Sequence, residues 1–291
     1  MQYATFSIII PTYKRPRALG HCLAALQEVD YPGSQFEIIV VDDGGGVPEP
    51  LRSAYEKGRS VRFLSQKQRG PATARNTGAA AAVNDVVVFL DDDCIVGKNW
   101  LNTLSQALHQ TPNHLIGGKT KIGNGQSIYG RASQYLIDFL YIHYTDETGN
   151  PQFFTSNNFA LDRRAFLHSG GFDQRFKKAA GEDREFCYRW NRYGGKSRYV
   201  PSLVVYHDPQ LTLKKYWHQH FNYGRGGRQF RMIGYERGGK NLTLGPSRFY
   251  INLLLYPFKQ NNCALRFSVL FFLSQLANAL GYAWEKYRLK N

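Results

Sequence analysis

The chain has 291 residues, 43% of them hydrophobic and 20% charged, so it is globular, with ample apolar material for one large α/β domain or a domain with an appendage. Its formal charge of +15 makes the surface attractive to phosphate, whether on nucleotides, nucleic acid or anionic lipid, and composition alone does not choose among these. Cys22, Cys94, Cys187 and Cys263 lie far apart with no CxxC pair, which argues against a zinc site or a disulfide framework and suits reduced thiols in a cytoplasmic protein.

The amino terminus runs straight into an apolar stretch without a basic leader or cleavage site, so no secretion is expected. Residues 6–10 form a first strand, stopped by Pro11, and across 16–28 Leu19, Cys22, Leu23 and Leu26 recur on one helical face. A second apolar run, 36–41, ends in Asp42 and Asp43 and then Gly44, Gly45 and Gly46. After a short third run at 61–64, the alanine-rich stretch 70–83 reads as a helix with Pro71 in its first turn. The fourth run, Val86–Leu90, gives way at once to Asp91, Asp92 and Asp93. Strands alternating with helices predict a mostly parallel sheet flanked by helices, with ligands beyond the carboxyl ends of the strands. Those ends carry Asp42, Asp43 and the acidic triplet.

Three adjacent carboxylates at a buried strand end repel one another and lose hydration, so they need a cation or a set of donors. The hard, oxygen-seeking ions are Mg²⁺, Mn²⁺ and Ca²⁺, and the alternative is a polar strand end hydrogen-bonded to a neighbouring loop. Neither GxGxxG nor GxxxxGK occurs, which disfavours a nicotinamide dehydrogenase or a P-loop nucleotidase.

In the second half, Gly181 suits a turn before a helix in which Phe186, Trp190 and Tyr193 recur at helical spacing, ended by Gly194. Glu182 and Asp183 fall in its first turn, where a carboxylate is favoured by the helix dipole and can act as a general base; ordinary capping is the alternative. Glu185 is expected to be a salt-bridging surface residue. Residues 196–200 and 203–207 read as two short strands separated by Pro201 and Ser202, the second ending at His207. Asn157 and Asn158 suit a turn. The stretch 211–238 mixes aromatics with Arg225, Arg228, Arg231, Arg237 and several glycines. It is expected to be a lid over a pyrophosphate, or a basic surface facing membrane or nucleic acid.

Residues 267–284 carry no charge, yet Ser274, Gln275, Asn278 and Glu285 share one helical face, with Arg266, Lys286, Arg288 and Lys290 flanking. An amphipathic helix in the plane of an anionic membrane accounts for this best; a helix packed on the domain or a dimer, and a single span, are the alternatives.

The motifs SIIIPTYKRP, VVDDGGG, GPATARNTG and FLDDDC, in this order and at these intervals, resemble the family 2 glycosyltransferases of GT-A fold, over about residues 5–210. The resemblance implies an α/β nucleotide-diphospho-sugar transferase fold with a C-terminal, partly amphipathic helical extension. Its expected parts are a catalytic domain, 1–210, with a nucleotide-binding half at 1–118 and an acceptor half at 119–210, and a lid and helical region at 211–291. It implies a donor pocket lined by Pro11, Thr12, Tyr13, Arg15 and Gly70, with Asp42 accepting a hydrogen bond from the base. Arg75 would approach the base or the phosphates, or else pair a carboxylate as an ordinary helix arginine. The DxD falls on Asp91 and Asp93, Asp91 near the ribose or the metal, Asp93 a direct metal ligand and Asp92 between them on the donor side. His207 would complete the metal or pyrophosphate site, or be structural. Asn157 and Asn158, if not simply in a turn, would touch the donor sugar. Asp183 is the implied base, with Glu182 binding the acceptor or acting as the alternative base.

The implied reaction is metal-dependent, using Mn²⁺ or Mg²⁺, and inverting, moving one sugar from a nucleotide diphosphate donor, by resemblance a UDP-sugar, to a hydroxyl. The expected partners are a glycan or lipid-linked acceptor and, from the amphipathic C-terminal helix, an anionic membrane, with no nucleic acid, on the inner face of the plasma membrane. The QxxRW motif of processive synthases is not found, which argues against polymer extrusion. The competing readings are a sugar nucleotidyltransferase, which would be expected to carry a glycine-rich, lysine-bearing first turn, and a non-catalytic basic nucleic-acid-binding protein, which would not need the strand-end acids.

Overall fold

A computed structural model describes residues 4–56, 61–123, 127–147, 149–238, 247–259 and 264–289. The first half alternates strand and helix: β1 Phe6–Thr12, α1 Pro16–Gln27, β2 Phe36–Asp42, α2 Glu49–Glu56, β3 Val61–Ser65, α3 Pro71–Ala81, β4 Val86–Leu90 and β5 Cys94–Val96. Then come α4 Trp100–Gln110, β6 His114–Ile122, α5 Ile128–His143, β7 Asn158–Asp162, α6 Arg163–His168, α7 Glu182–Arg192 and β8 Lys196–His207. The chain closes with α8 Leu213–Glu236, α9 Ser247–Leu255 and α10 Ala264–Arg288.

The strands make one sheet in the order β3-β2-β1-β4-β7-β6-β8-β5. The first four are parallel, β7 opposes β4 and β6, β6 and β8 are parallel, and β5 opposes β8. Alternation along β1 explains the two-faced core: Ile8 and Ile10 pack with Leu19, Cys22 and Leu23 of α1, whereas Ile9 packs with Ala72, Ala74 and Ala79 of α3. The alanines and Gly78 bring α3 close to the sheet; a Cβ on Gly78 would lie 2.4 Å from Ile9 Cγ2. Pro11 does not stop the first strand. It pairs in register with Val41 of β2, while β4 is in register with β1 only from Phe6 to Ile9, so the missing proline N–H interrupts no ladder on that side.

Residues 196–207 form one continuous strand where two were expected. Its register against β6 jumps from Gly118↔Val200 to Lys119↔Val204, a bulge that leaves Pro201, Ser202 and Leu203 outside the pairing.

The glycine- and arginine-rich stretch expected as a lid is the 24-residue helix α8. Two of its glycines, Gly224 and Gly226, are contact points between backbones. A Cβ on Gly224 would lie 1.9 Å from the Asn278 carbonyl oxygen of α10, and one on Gly281 of α10 the same distance from that of Phe221. On another face, Gly226 meets the Ala180 carbonyl just before α7. Tertiary packing thus overrides the low helix propensity of glycine. A further apolar cluster joins Leu136 and Phe139 of α5 to Tyr216 of α8, Phe249 and Leu253 of α9, and Phe267 and Phe271 of α10.

Candidate active site

The acids expected at strand ends lie at the carboxyl edge of the parallel strands, and they are held by several different elements. After β2, Asp42 turns back on its own loop: its carboxylate accepts from the backbone N–H groups of Gly45 (2.7 Å), Gly46 (3.0 Å) and Val47 (3.1 Å). Asp43 reaches the other way and accepts from Gln66 Nε2 and from the N–H groups of Arg69 and Gly70. The two acids therefore shape the loop after β2 and the entry to α3. Gly70 has φ +92° and packs against the Lys177 backbone, so no side chain fits there. Tyr13, half-buried, carries the Lys14 ammonium over its ring at 5.2 Å, and Gly45 abuts the Lys14 N–H, joining the loops after β1 and β2.

The triplet after β4 is more tightly bound. Asp92 is fully buried and accepts from Thr12 Oγ1 at 2.7 Å. Arg15, half-exposed, spans Asp92 Oδ1 at 2.6 Å and Asp93 Oδ2 at 2.5 Å. His207 arrives because β5 and β8 pair Cys94 with His207, and its Nε2 lies 3.2 Å from Asp93 Oδ1. Burial pushes Asp92 up to about 7 against the pull of Arg15. Burial alone would raise Asp93 too, but His207 and Arg15 hold it well below the usual carboxylate range.

These residues fit a hard divalent cation. Asp92 Oδ1 and Asp93 Oδ1 are buried and meet only ionic partners, without a hydrogen-bond donor in good geometry. Ligand atoms of Asp93, Cys94 and His207 lie within 4.8 Å of one another. Burial raises the Cys94 thiol well above its ordinary value, which keeps it neutral, so oxygen from Asp93 and nitrogen from His207 are the better donors of this cluster.

Arg75 of α3 is not a surface arginine. It is buried, with Nη2 2.6 Å from Asp91 Oδ1 and Nη1 3.0 Å from Glu182 Oε1, and its guanidinium lies over the Phe172 ring. One side chain thereby ties the strand-end acids to the first turn of α7. Glu182 is fully engaged, its other oxygen accepting from the Ala180 N–H at 2.9 Å. Asp183 is more open: Oδ1 accepts from the Arg184 N–H, while Oδ2 has a long 3.4 Å contact to the Ser156 N–H. Burial raises both carboxyls, Glu182 to about 7.

Other expectations change. Glu185 is buried, not on the surface, because Arg189 and Arg237 neutralise it. Asn158 is a structural joint, accepting from Trp100 Nε1 and donating to the Leu203 carbonyl, while Asn157 accepts from Thr120 and Thr155. Tyr223 of α8 is a residue that the sequence reading missed. Its hydroxyl accepts from Gln219, and it lies close enough to Asp183 that this acid, after burial, helps to raise its phenol. The signal was the spacing Tyr216, His220, Tyr223 on one helical face. Cys22, Cys94 and Cys187 are free and buried, and Cys263 lies outside the described residues.

Residues 7–172 match the family model described as Glycosyl transferase family 2. The hyaluronan synthase of Pasteurella multocida is 28% identical over 243 residues, which cover 71% of this chain and 25% of that protein. The chondroitin synthase of Escherichia coli is 29% identical over 239 residues, 69% of this chain and 34% of that protein. The chain thus spans about a quarter to a third of the length of these relatives. Among solved structures, a mannosyltransferase from Pyrobaculum calidifontis in complex with GDP-Man and Mn²⁺ superposes with a TM-score of 0.64 at 18% identity, over 99% of this chain and 81% of that one. TarS of S. aureus in complex with UDP-GlcNAc gives 0.58 at 16% identity, over 99% and 92%. These likenesses show the GT-A fold.

Proposed function

Because the chain belongs to glycosyl transferase family 2, we propose that it moves a single sugar, with inversion, from a nucleoside diphosphate sugar to an acceptor hydroxyl. The observation that carries this reading is Arg75, which joins Asp91 of the strand-end triplet to Glu182, the neighbour of Asp183, and so draws the acidic triplet and the first turn of α7 into one site. The donor lies along Pro11, Thr12, Tyr13, Arg15, Asp42 and Gly70, with its phosphates towards Asp91, Asp92 and Asp93. A manganese or magnesium ion held by Asp91, Asp93 and His207 would neutralise charge on the leaving diphosphate.

Asp183 is the base. Its Oδ2 is loosely held, and burial raises its carboxyl, which makes it a stronger proton acceptor. The acceptor hydroxyl gives its proton to Asp183 as its oxygen bonds to the anomeric carbon, while the bond from that carbon to the diphosphate breaks on the opposite face. Glu182 holds Arg75 and leaves Asp183 to face the acceptor. We take a UDP-sugar as donor, a glycan or lipid-linked hydroxyl as acceptor, residues 1–210 as the catalytic domain and 211–291 as the part that attaches it to the inner face of the plasma membrane.

Thermal unfolding against a panel of nucleoside diphosphates, with Mn²⁺, Mg²⁺ or EDTA, tests the donor site. One nucleotide should raise the melting point only with metal, and Asp93→Ala should abolish the rise. No rise with any nucleotide in folded protein would refute it.

A further inference from the structure

Helix α10 is apolar on two sides: Phe267, Leu270 and Phe271 pack inward, and a second apolar row faces outward. Ser274 and Glu285 are buried against the protein, Glu285 paired with Arg225 of α8 at 2.7 Å and with Arg288. On the opposite side Leu265, Val269, Phe272, Leu276, Leu280 and Trp284 are each 42–70% exposed, at the i, i+3/i+4 spacing of one helical stripe. Ile251, Leu255 and Phe258, on and just after α9, are exposed as well. From residue 239 onward the sequence has seven lysines and arginines and one acid, the buried Glu285. Arg248, Lys259, Arg266 and Lys286 are exposed around the apolar stripe.

We propose that this face of α9 and α10 docks on an anionic lipid surface, with α10 lying in the plane of the interface. A continuous apolar stripe bordered by cations matches the acyl–headgroup boundary, where apolar side chains insert and basic ones meet phosphate. A second copy of the chain would bring two basic rims together, which like charge opposes. At 25 residues α10 is long enough to cross a bilayer. Its other face is already committed: Gly224 against Asn278 and Gly281 against Phe221 fix it to α8 at backbone contact, and leaving α8 would break the Glu285–Arg225 pair. Helix α8 also meets the Ala180 carbonyl through Gly226, three residues before Asp183. The layers therefore run from the loop before Asp183 through α8 and α10 to lipid. If Asp183 is the base proposed above, transfer occurs two helices from the headgroups, which suits a lipid-linked acceptor.

The test is co-sedimentation of the full chain with vesicles of phosphatidylcholine alone or mixed with phosphatidylglycerol, alongside Trp284 fluorescence. The chain should pellet with the anionic vesicles, and its emission should shift to the blue and be quenched by lipids brominated near the headgroup, a signal lost in Trp284→Phe. Phe272→Glu with Leu276→Glu should weaken binding more than tenfold while the nucleotide-dependent rise in melting point stays. Arg248→Gln, Lys259→Gln and Arg266→Gln, at about fivefold each, should together weaken it about a hundredfold. Protein that stays in solution with both vesicles, equal binding to uncharged vesicles, resistance to alkaline extraction as for a spanning helix, or a dimer dispersed by the Phe272/Leu276 variant would each overturn the docking. Vesicle binding without any nucleotide response would instead overturn the catalytic reading.

Discussion

Replacing Arg75 by methionine keeps an apolar stem over Phe172 but removes the charge that Asp91 and Glu182 face. The Asp91 pair is partly open to water, that acid being 26% exposed, whereas Glu182 is at 4%, so most of the loss falls on Glu182. Breaking a buried pair on one side costs about 3–5 kcal/mol, because the remaining charge is left uncompensated. For a domain of this size that is a fall in melting temperature of about 10 °C. The loss should depend on pH in a defined direction. Burial raises Glu182 and Asp183 while Arg75 lowers both, so without Arg75 they protonate more readily. A carboxyl raised in the folded state contributes stability that is lost as pH rises, so the deficit should be smaller at pH 5 than at pH 8. Urea unfolding of wild type, Arg75→Met, Glu182→Gln and the double variant at both pH values measures this, and Glu182→Gln should restore about half of the deficit at pH 8. A deficit below about 1 kcal/mol, equal at the two pH values, would refute the role given to Arg75.

Glu182→Gln alone should flatten the fall in stability that wild type shows between about pH 4.5 and 7, the window set by its raised carboxyl, by up to about 3 kcal/mol; parallel pH–stability curves would contradict this. Arg15 occupies oxygens of Asp92 and Asp93, so Arg15→Gln should tighten binding of Mn²⁺ alone about fivefold, read from the free-ion paramagnetic resonance signal. Weaker binding would show that Arg15 supports the site instead of competing for it. Gly281→Ala places a methyl 1.9 Å from the Phe221 carbonyl oxygen and should lower stability by at least about 2 kcal/mol in thermal or urea unfolding; an unchanged melting point would mean that α8 and α10 separate easily.

The first half was legible because its cues are local. Apolar runs with acids at their ends, an alanine-rich helix opened by Pro71, and a glycine triplet after Asp43 each state their structure within a dozen residues. Strand β6 went unread because Gly117 and Gly118 weaken its pattern, and their reason is tertiary: a Cβ there would strike the Phe154 ring and the Asn158 amide. The same holds for α8, whose Gly224 and Gly226 look like loop residues until α10 and Ala180 are brought against them. At the site, residue types were readable and partners were not. That Arg75 binds two acids 107 residues and 16 residues away depends on strand order, as does the meeting of His207 with Asp93. Glu185 looked exposed because its neutralising Arg237 lies at the far end of α8.

The most direct test of the central claim separates donor binding from transfer in Asp183→Asn. With the donor identified by thermal shift, nucleotide affinity should stay within about twofold of wild type, while transfer of the sugar to a hydroxyl acceptor, read as acceptor-dependent release of nucleoside diphosphate, should fall by 10²–10⁴, roughly what a positioned base contributes. Transfer at near wild-type rate would contradict the assignment of Asp183 and make Glu182 the base to examine.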